Sequence, residues 1–105
     1  MRVYVAGPYS HPDPCENTYR AVQMGNLLVG MGHTPYIPHL THFWHTMTPK
    51  PRNFWYAYDL EWMKQCDWVL RFPGKSSGAD NEVREALAAN MPVFFDVADI
   101  PNDCA

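Results

Sequence analysis

Asp67-Trp68-Val69-Leu70-Arg71-Phe72-Pro73-Gly74-Lys75-Ser76-Ser77-Gly78-Ala79-Asp80-Asn81-Glu82 reads as a strand, a tight polar loop and the start of a helix. Residues 67–72 set Trp68, Val69, Leu70 and Phe72 around a single Arg71 with no polar alternation, the pattern of a strand buried on both faces. Pro73 to Ser77 break it. Ser77-Gly78-Ala79-Asp80 then offers a helix cap, with a body over Val83 to Ala89 that ends at Asn90. Pro92-Val93-Phe94-Phe95 follows as another short apolar strand.

The same unit recurs upstream. Val3-Tyr4-Val5-Ala6, closed by Gly7-Pro8, predicts the first buried strand. Asp13-Pro14-Cys15-Glu16 supplies an N-cap, a proline at the first helical position and an acid one turn in, and the spacing of Ala21, Val22, Met24, Leu27, Leu28 and Met31 predicts a helix over 14–31 stopped by Gly32. His33 to Pro38 is a second short strand; His39 to Pro51, rich in His, Thr and Pro without periodicity, is expected to be irregular. Phe54, Trp55, Tyr58, Trp62 and Met63 give residues 52–66 an aromatic helical face. Alternating strands and helices predict an α/β fold, a small doubly wound parallel sheet of four to five strands with helices on both faces. One domain over 1–105 is expected, 1–96 as core and 97–105 as tail. Such sheets bind ligands beyond the carboxyl ends of their strands, here Gly7 to Ser10, His39 onward and Pro73 to Gly78.

Composition narrows the function. The chain has 105 residues, 47% of them hydrophobic, and a net charge of −3, enough apolar surface for one core and too little charge to keep it extended. With 8 Lys plus Arg against 11 Asp plus Glu and no basic run, a nucleic-acid polymer is not an expected partner. Cys15, Cys66 and Cys104 form no C-x-x-C pair, no signal sequence or membrane span is visible, and cytoplasmic localisation with reduced thiols is expected.

Several residues are candidates for chemistry. Ser76, Ser77 and Gly78 place hydroxyls and backbone amides at a helix start, a site for an anion, with Glu82 in the first turn beside it; ordinary loop chemistry and a dipole-complementing Glu82 remain the alternative. Tyr4, on the first strand, and Tyr9, after the Gly7-Pro8 turn, can each reach a carboxylate at the strand ends, although packing explains Tyr4 equally well. Asp59 lies mid-helix, where a solvated face is the common fate. His39, His42 and His45 are spaced by three, which turns around a helix axis, and no carboxylate or cysteine nearby completes a ligand set; no metal is expected, and loop hydrogen bonding or contacts to a base are. Phe54, Trp55, Tyr58 and Trp62 read as core or subunit interface rather than as a stacking platform.

Tyr4-Val5-Ala6-Gly7-Pro8, Asp59 through Asp67 before the third strand, and Ser76-x-Gly78-Ala79-x-x-Glu82 followed by Ala86 and Met91-Pro92-Val93 resemble the nucleoside 2-deoxyribosyltransferase superfamily, which includes 2'-deoxynucleoside 5'-monophosphate N-glycosidases. The resemblance spans residues 2–95 in order. It implies a flavodoxin-like fold and cleavage of an N-glycosidic bond, with no cofactor. Glu82 matches the nucleophile that forms a glycosyl ester, Tyr4 the tyrosine that orients it, and Asp59 the acid that contacts the leaving base. Ser76 matches a phosphate-binding serine, Gly7 and Gly78 match glycines whose amides approach the phosphate, and His39 matches a base-side position. A deoxynucleoside monophosphate, or a nucleoside, is thus the implied partner, with water or a second base as acceptor. A catalytically weak nucleotide-binding module on the same fold is the alternative. The aromatic area of residues 54–62 adds the expectation of a homodimer or larger assembly, with Asn102 or Asp103 reaching a neighbour's cleft.

Overall fold

The computed structural model describes residues 1–102, so Asp103 and Cys104 lie outside the described residues. Four parallel strands, β1 (Arg2–Ala6), β2 (Thr34–Tyr36), β3 (Trp68–Arg71) and β4 (Val93–Phe94), form one sheet in the order β2-β1-β3-β4. Their register pairs Tyr4 with Tyr36 on one side and with Val69 on the other, and Ala6 with Arg71.

Successive side chains of a strand alternate between faces, and the two cores divide accordingly. Val3 and Val5 join Leu70, Phe72 and Ile100 under α1 (Pro14–Gly30), which contributes Ala21 and Leu28. Tyr4 and Ala6 join Val69 on the opposite face, under Met63 of α3 (Arg52–Met63) and Ala79 and Ala86 of α4 (Ser77–Ala88). Helices therefore cover both faces of a parallel sheet whose order reverses between β1 and β3, a flavodoxin-like doubly wound α/β fold. Val97 and Ile100, from the stretch read as a tail, pack on the α1 side.

Local rules account for the element ends. Asp13 caps α1 by accepting from the Cys15 amide at 2.9 Å, and Gly32, at φ 90°, takes the left-handed turn after the helix. Gly74 is also left-handed, at φ 130°; a Cβ there would lie 2.5 Å from Pro8 Cγ, because the loops after β1 and β3 pack on each other. Gly7 has no room for a side chain at all, since a Cβ would lie 2.1 Å from the Phe72 ring.

One segment departs from expectation. Residues 39–51 are not irregular throughout: a 3-10 turn over Pro38–Thr41 leads into α2 (His42–Met47). α2 buries none of its residues and lacks a capping side chain, so no apolar period marks it in the sequence. Ring contacts from α3 hold it, with Trp44 edge-on to Trp55 at 5.1 Å and to Tyr58 at 5.6 Å. The aromatic face of α3 is correspondingly not core: Trp55 and Tyr58 are half-buried in this cluster, while Phe54 and Trp62 are exposed.

Candidate functional site

Strand parity sends the Tyr4 side chain to the α3/α4 face, where it is fully buried and stacked on Tyr36 at 5.7 Å. Its hydroxyl donates a hydrogen bond to Glu82 Oε2, joining residues 78 apart in the chain. Ser76 caps α4, its Oγ accepting from the Ala79 amide at 3.1 Å. That start at Ser77 puts Glu82 in the second turn rather than the first; Asp80 is the acid that complements the dipole. Glu82 is buried instead, 9% exposed, facing the sheet.

Asp59 belongs to the same cluster. It is turned inward rather than solvated, and its Oδ1 is buried with no hydrogen-bond partner among the described residues. Burial, with the charge of Glu82 added, pushes its carboxyl up to about 8. Burial likewise raises Glu82 to about 7, opposed by the Tyr4 hydrogen bond and by Arg71. Tyr4 is held well above the ordinary phenol value by burial, then by the charges of Glu82 and Asp59. At neutral pH the phenol and Asp59 thus carry protons while Glu82 is about half ionised. The group combines an oriented carboxylate, able to act as nucleophile through its Oε1, with a protonated acid nearby.

The loops at the strand ends hold the other candidates. His39 is buried; its Nε2 donates to the Pro8 carbonyl at 2.8 Å, its Nδ1 has no partner among the described residues, and burial lowers its pKa. It therefore fixes the Gly7-Pro8 turn as a neutral ring, with Nδ1 left as an acceptor. Tyr9 sits edge-on to His39 at 5.9 Å. The Tyr9 hydroxyl is 2.5 Å from His42 Nδ1. His45 accepts from Trp55 Nε1 at 2.8 Å, so the three histidines serve three different contacts. At the start of α4, Ser77 Oγ accepts from Arg52 Nη2 at 3.4 Å. A Cβ on Gly78 would meet nothing closer than 3.9 Å, which leaves that turn open.

Two cations escaped the sequence reading. Arg71, 8% exposed, ends β3 and donates to the carbonyls of Phe72 (2.5 Å) and Gly74 (2.8 Å) and to Asp80 (3.1 Å), holding the polar loop in shape beside Glu82. A lone arginine closing an apolar run was its signal. Arg52 stands at the first position of α3, where the helix dipole disfavours a cation; that misfit was its signal.

The fold is shared with a solved structure of a 2-deoxyribosyltransferase from Bacillus psychrosaccharolyticus, at a TM-score of 0.63 and 22% sequence identity over 89% of this chain and 69% of that one. No curated protein matches it in sequence. Residues 1–96 match the family model of the domain of unknown function DUF7768, and the chain, with its Tyr4–Glu82 pair and its whole sheet inside that span, belongs to this family.

Proposed function

We propose that the protein cleaves the N-glycosidic bond of a 2'-deoxynucleoside 5'-monophosphate, or of a nucleoside, through a covalent glycosyl ester on Glu82. The hydrogen bond from Tyr4 to Glu82 Oε2, beside the buried Asp59 carboxyl, is the observation that carries the reading. The likeness to a 2-deoxyribosyltransferase supports it.

In this mechanism Tyr4 occupies one carboxylate oxygen and directs the other at C1' of the sugar. A buried carboxylate suits an oxocarbenium-like transition state, because its negative charge is poorly solvated and meets developing positive charge. As the bond to the base breaks, Asp59, protonated at neutral pH, donates to the departing nitrogen. Water or a second base then attacks C1' and frees Glu82. Ser76, whose oxygen accepts from Ala79, keeps its own O–H to donate to a 5'-phosphate, together with Ser77, the amides at Gly7 and Gly78, and the guanidinium of Arg52. Tyr9 and His39 Nδ1 lie on the base side.

The active unit in this reading is a homodimer or larger, working in the cytoplasm. Phe43, Trp44, Met47, Phe54 and Trp62 are all exposed on one chain, a grouping that suits burial against another copy; light scattering at micromolar concentration tests it, and a fully active monomer refutes it. Among the described residues no helix is long and apolar enough to cross a membrane. Incubation with a panel of deoxynucleoside monophosphates and nucleosides, with free base followed by chromatography, tests the activity. Release by the wild type and none by Glu82→Ala is expected; equal release by both refutes the assignment.

A further inference from the structure

A second group of reactive side chains lies apart from Tyr4, Glu82 and Asp59, and the mechanism above does not use its chemistry. Cys15 is exposed in the first turn of α1. His42, the first residue of α2, sets Nε2 3.9 Å from Cys15 Sγ while its Nδ1 meets the Tyr9 hydroxyl at 2.5 Å. Three separate segments thus converge on one imidazole, and each of its nitrogens is aimed at a different side chain. Tyr9 and Phe43 also pack edge-on against this ring, both at 5.7 Å, which fixes its orientation toward the sulfur.

We propose that Cys15 is a nucleophilic thiol activated by His42, with Tyr9 as the positioning residue, and that it is a site of covalent modification by small soft electrophiles such as peroxides and haloacetamides. As the sulfur attacks, its proton passes to His42 Nε2 while Nδ1–H donates to the Tyr9 oxygen. The thiolate is the reactive form. With a haloacetamide the S–C bond forms, the carbon–halogen bond breaks and halide leaves. With hydrogen peroxide the S–O bond forms and the O–O bond breaks; sulfur is oxidised by two electrons to a sulfenic acid, and the departing oxygen takes the proton from His42 to leave as water. Tyr9 follows the Gly7-Pro8 turn directly, so an adduct on Cys15 sits next to the candidate cleft.

Cys66 is an internal control. It is half-buried, its thiol donates to the Trp62 carbonyl at 3.6 Å, and burial together with the charge of Asp67 pushes it up to about 11. The test is timed alkylation of the whole protein by iodoacetamide at pH 7, with peptide mapping that separates Cys15, Cys66 and Cys104. Cys15 is expected to react faster than Cys66, and His42→Gln to slow Cys15 by about tenfold. The rate at Cys66 reports folding in the same experiment. An equal or slower rate at Cys15 than at Cys66 in the wild type overturns the proposal, as does an unchanged Cys15 rate in a His42→Gln protein whose Cys66 stays slow. Should His42→Gln unfold, Tyr9→Phe decides in its place: a several-fold slower Cys15 supports the proposal and an unchanged one overturns it.

Discussion

Tyr4→Phe removes one oxygen from a side chain that is 0% exposed and leaves the ring to stack on Tyr36, so the fold is expected to survive and the loss to fall on Glu82. A hydrogen bond to a charged group contributes about 1.5 to 3 kcal/mol, and one pKa unit corresponds to about 1.4 kcal/mol. The Glu82 carboxyl, at about 7 with the bond in place, should therefore rise by about one to two units. At pH 7 its ionised fraction falls from about a half to between roughly a tenth and a hundredth, and turnover at that pH should fall by about 5- to 50-fold. The profile changes shape as well. In the wild type the acid limb of kcat/KM reports Glu82 and the basic limb reports Asp59, near 8. In the variant the Glu82 value meets or passes that of Asp59, so the peak drops and also moves to higher pH by about half the shift. A pH–rate series on the best substrate decides the matter. An acid limb left within a few tenths of a unit of the wild-type position would show that the bond does not set the ionisation of Glu82.

The same carboxyls predict how stability responds to pH: both are raised above their unfolded values, 4.5 to about 7 for Glu82 and 3.8 to about 8 for Asp59, so between roughly pH 4 and 8 the folded state binds more protons and stability rises as pH falls. Thermal melting should be higher at pH 5.5 than at pH 8.5, with Glu82→Gln and Asp59→Asn flattening the difference; a melting point that falls on acidification over this range counts against the buried pair. Ser76→Ala should cost about 1 kcal/mol as a lost N-cap and about 1 to 3 kcal/mol more for monophosphates than for nucleosides, whereas Ser76→Asp should keep the cap and still lose the monophosphate; unchanged preference in both variants refutes the phosphate role. Arg71→Met should lower the melting point and raise the acid limb, and Arg71→Lys should restore part of the limb, since the charge opposes protonation of Glu82; coincident limbs in all three proteins contradict that. Gly7→Ala, with a Cβ 2.1 Å from the Phe72 ring, should cost about 1 to 3 kcal/mol by overpacking, read as a lower thermal midpoint.

Much of the architecture was legible because strands and helices here carry undiluted signals. The apolar runs at Val3–Ala6 and 67–72, the Asp13-Pro14 start of α1 and the Gly32 stop lie where local chemistry puts them. α2 was not legible: its six residues bury nothing, and its partners Trp55 and Tyr58 come from another helix. For the site, residue types and family resemblance singled out Tyr4, Asp59 and Glu82, yet spacing alone could not separate chemistry from packing. Strand parity brings the three together, since Tyr4 and Val69 face α3 and α4 while Val5 and Leu70 face α1. Glu82 illustrates the sensitivity of such readings: one turn later in the helix than expected, it leaves the dipole and enters the core.

Trapping the sugar on Glu82 tests the covalent mechanism itself. The protein is mixed with a deoxynucleoside monophosphate that it cleaves, quenched in acid within the first turnovers, digested and mapped by mass spectrometry. A deoxyribosyl phosphate adduct is expected on the peptide that contains Glu82, absent from Glu82→Gln and formed together with free base. Base release at the wild-type rate by Glu82→Gln, or no release from any nucleotide or nucleoside by the wild type, would contradict it.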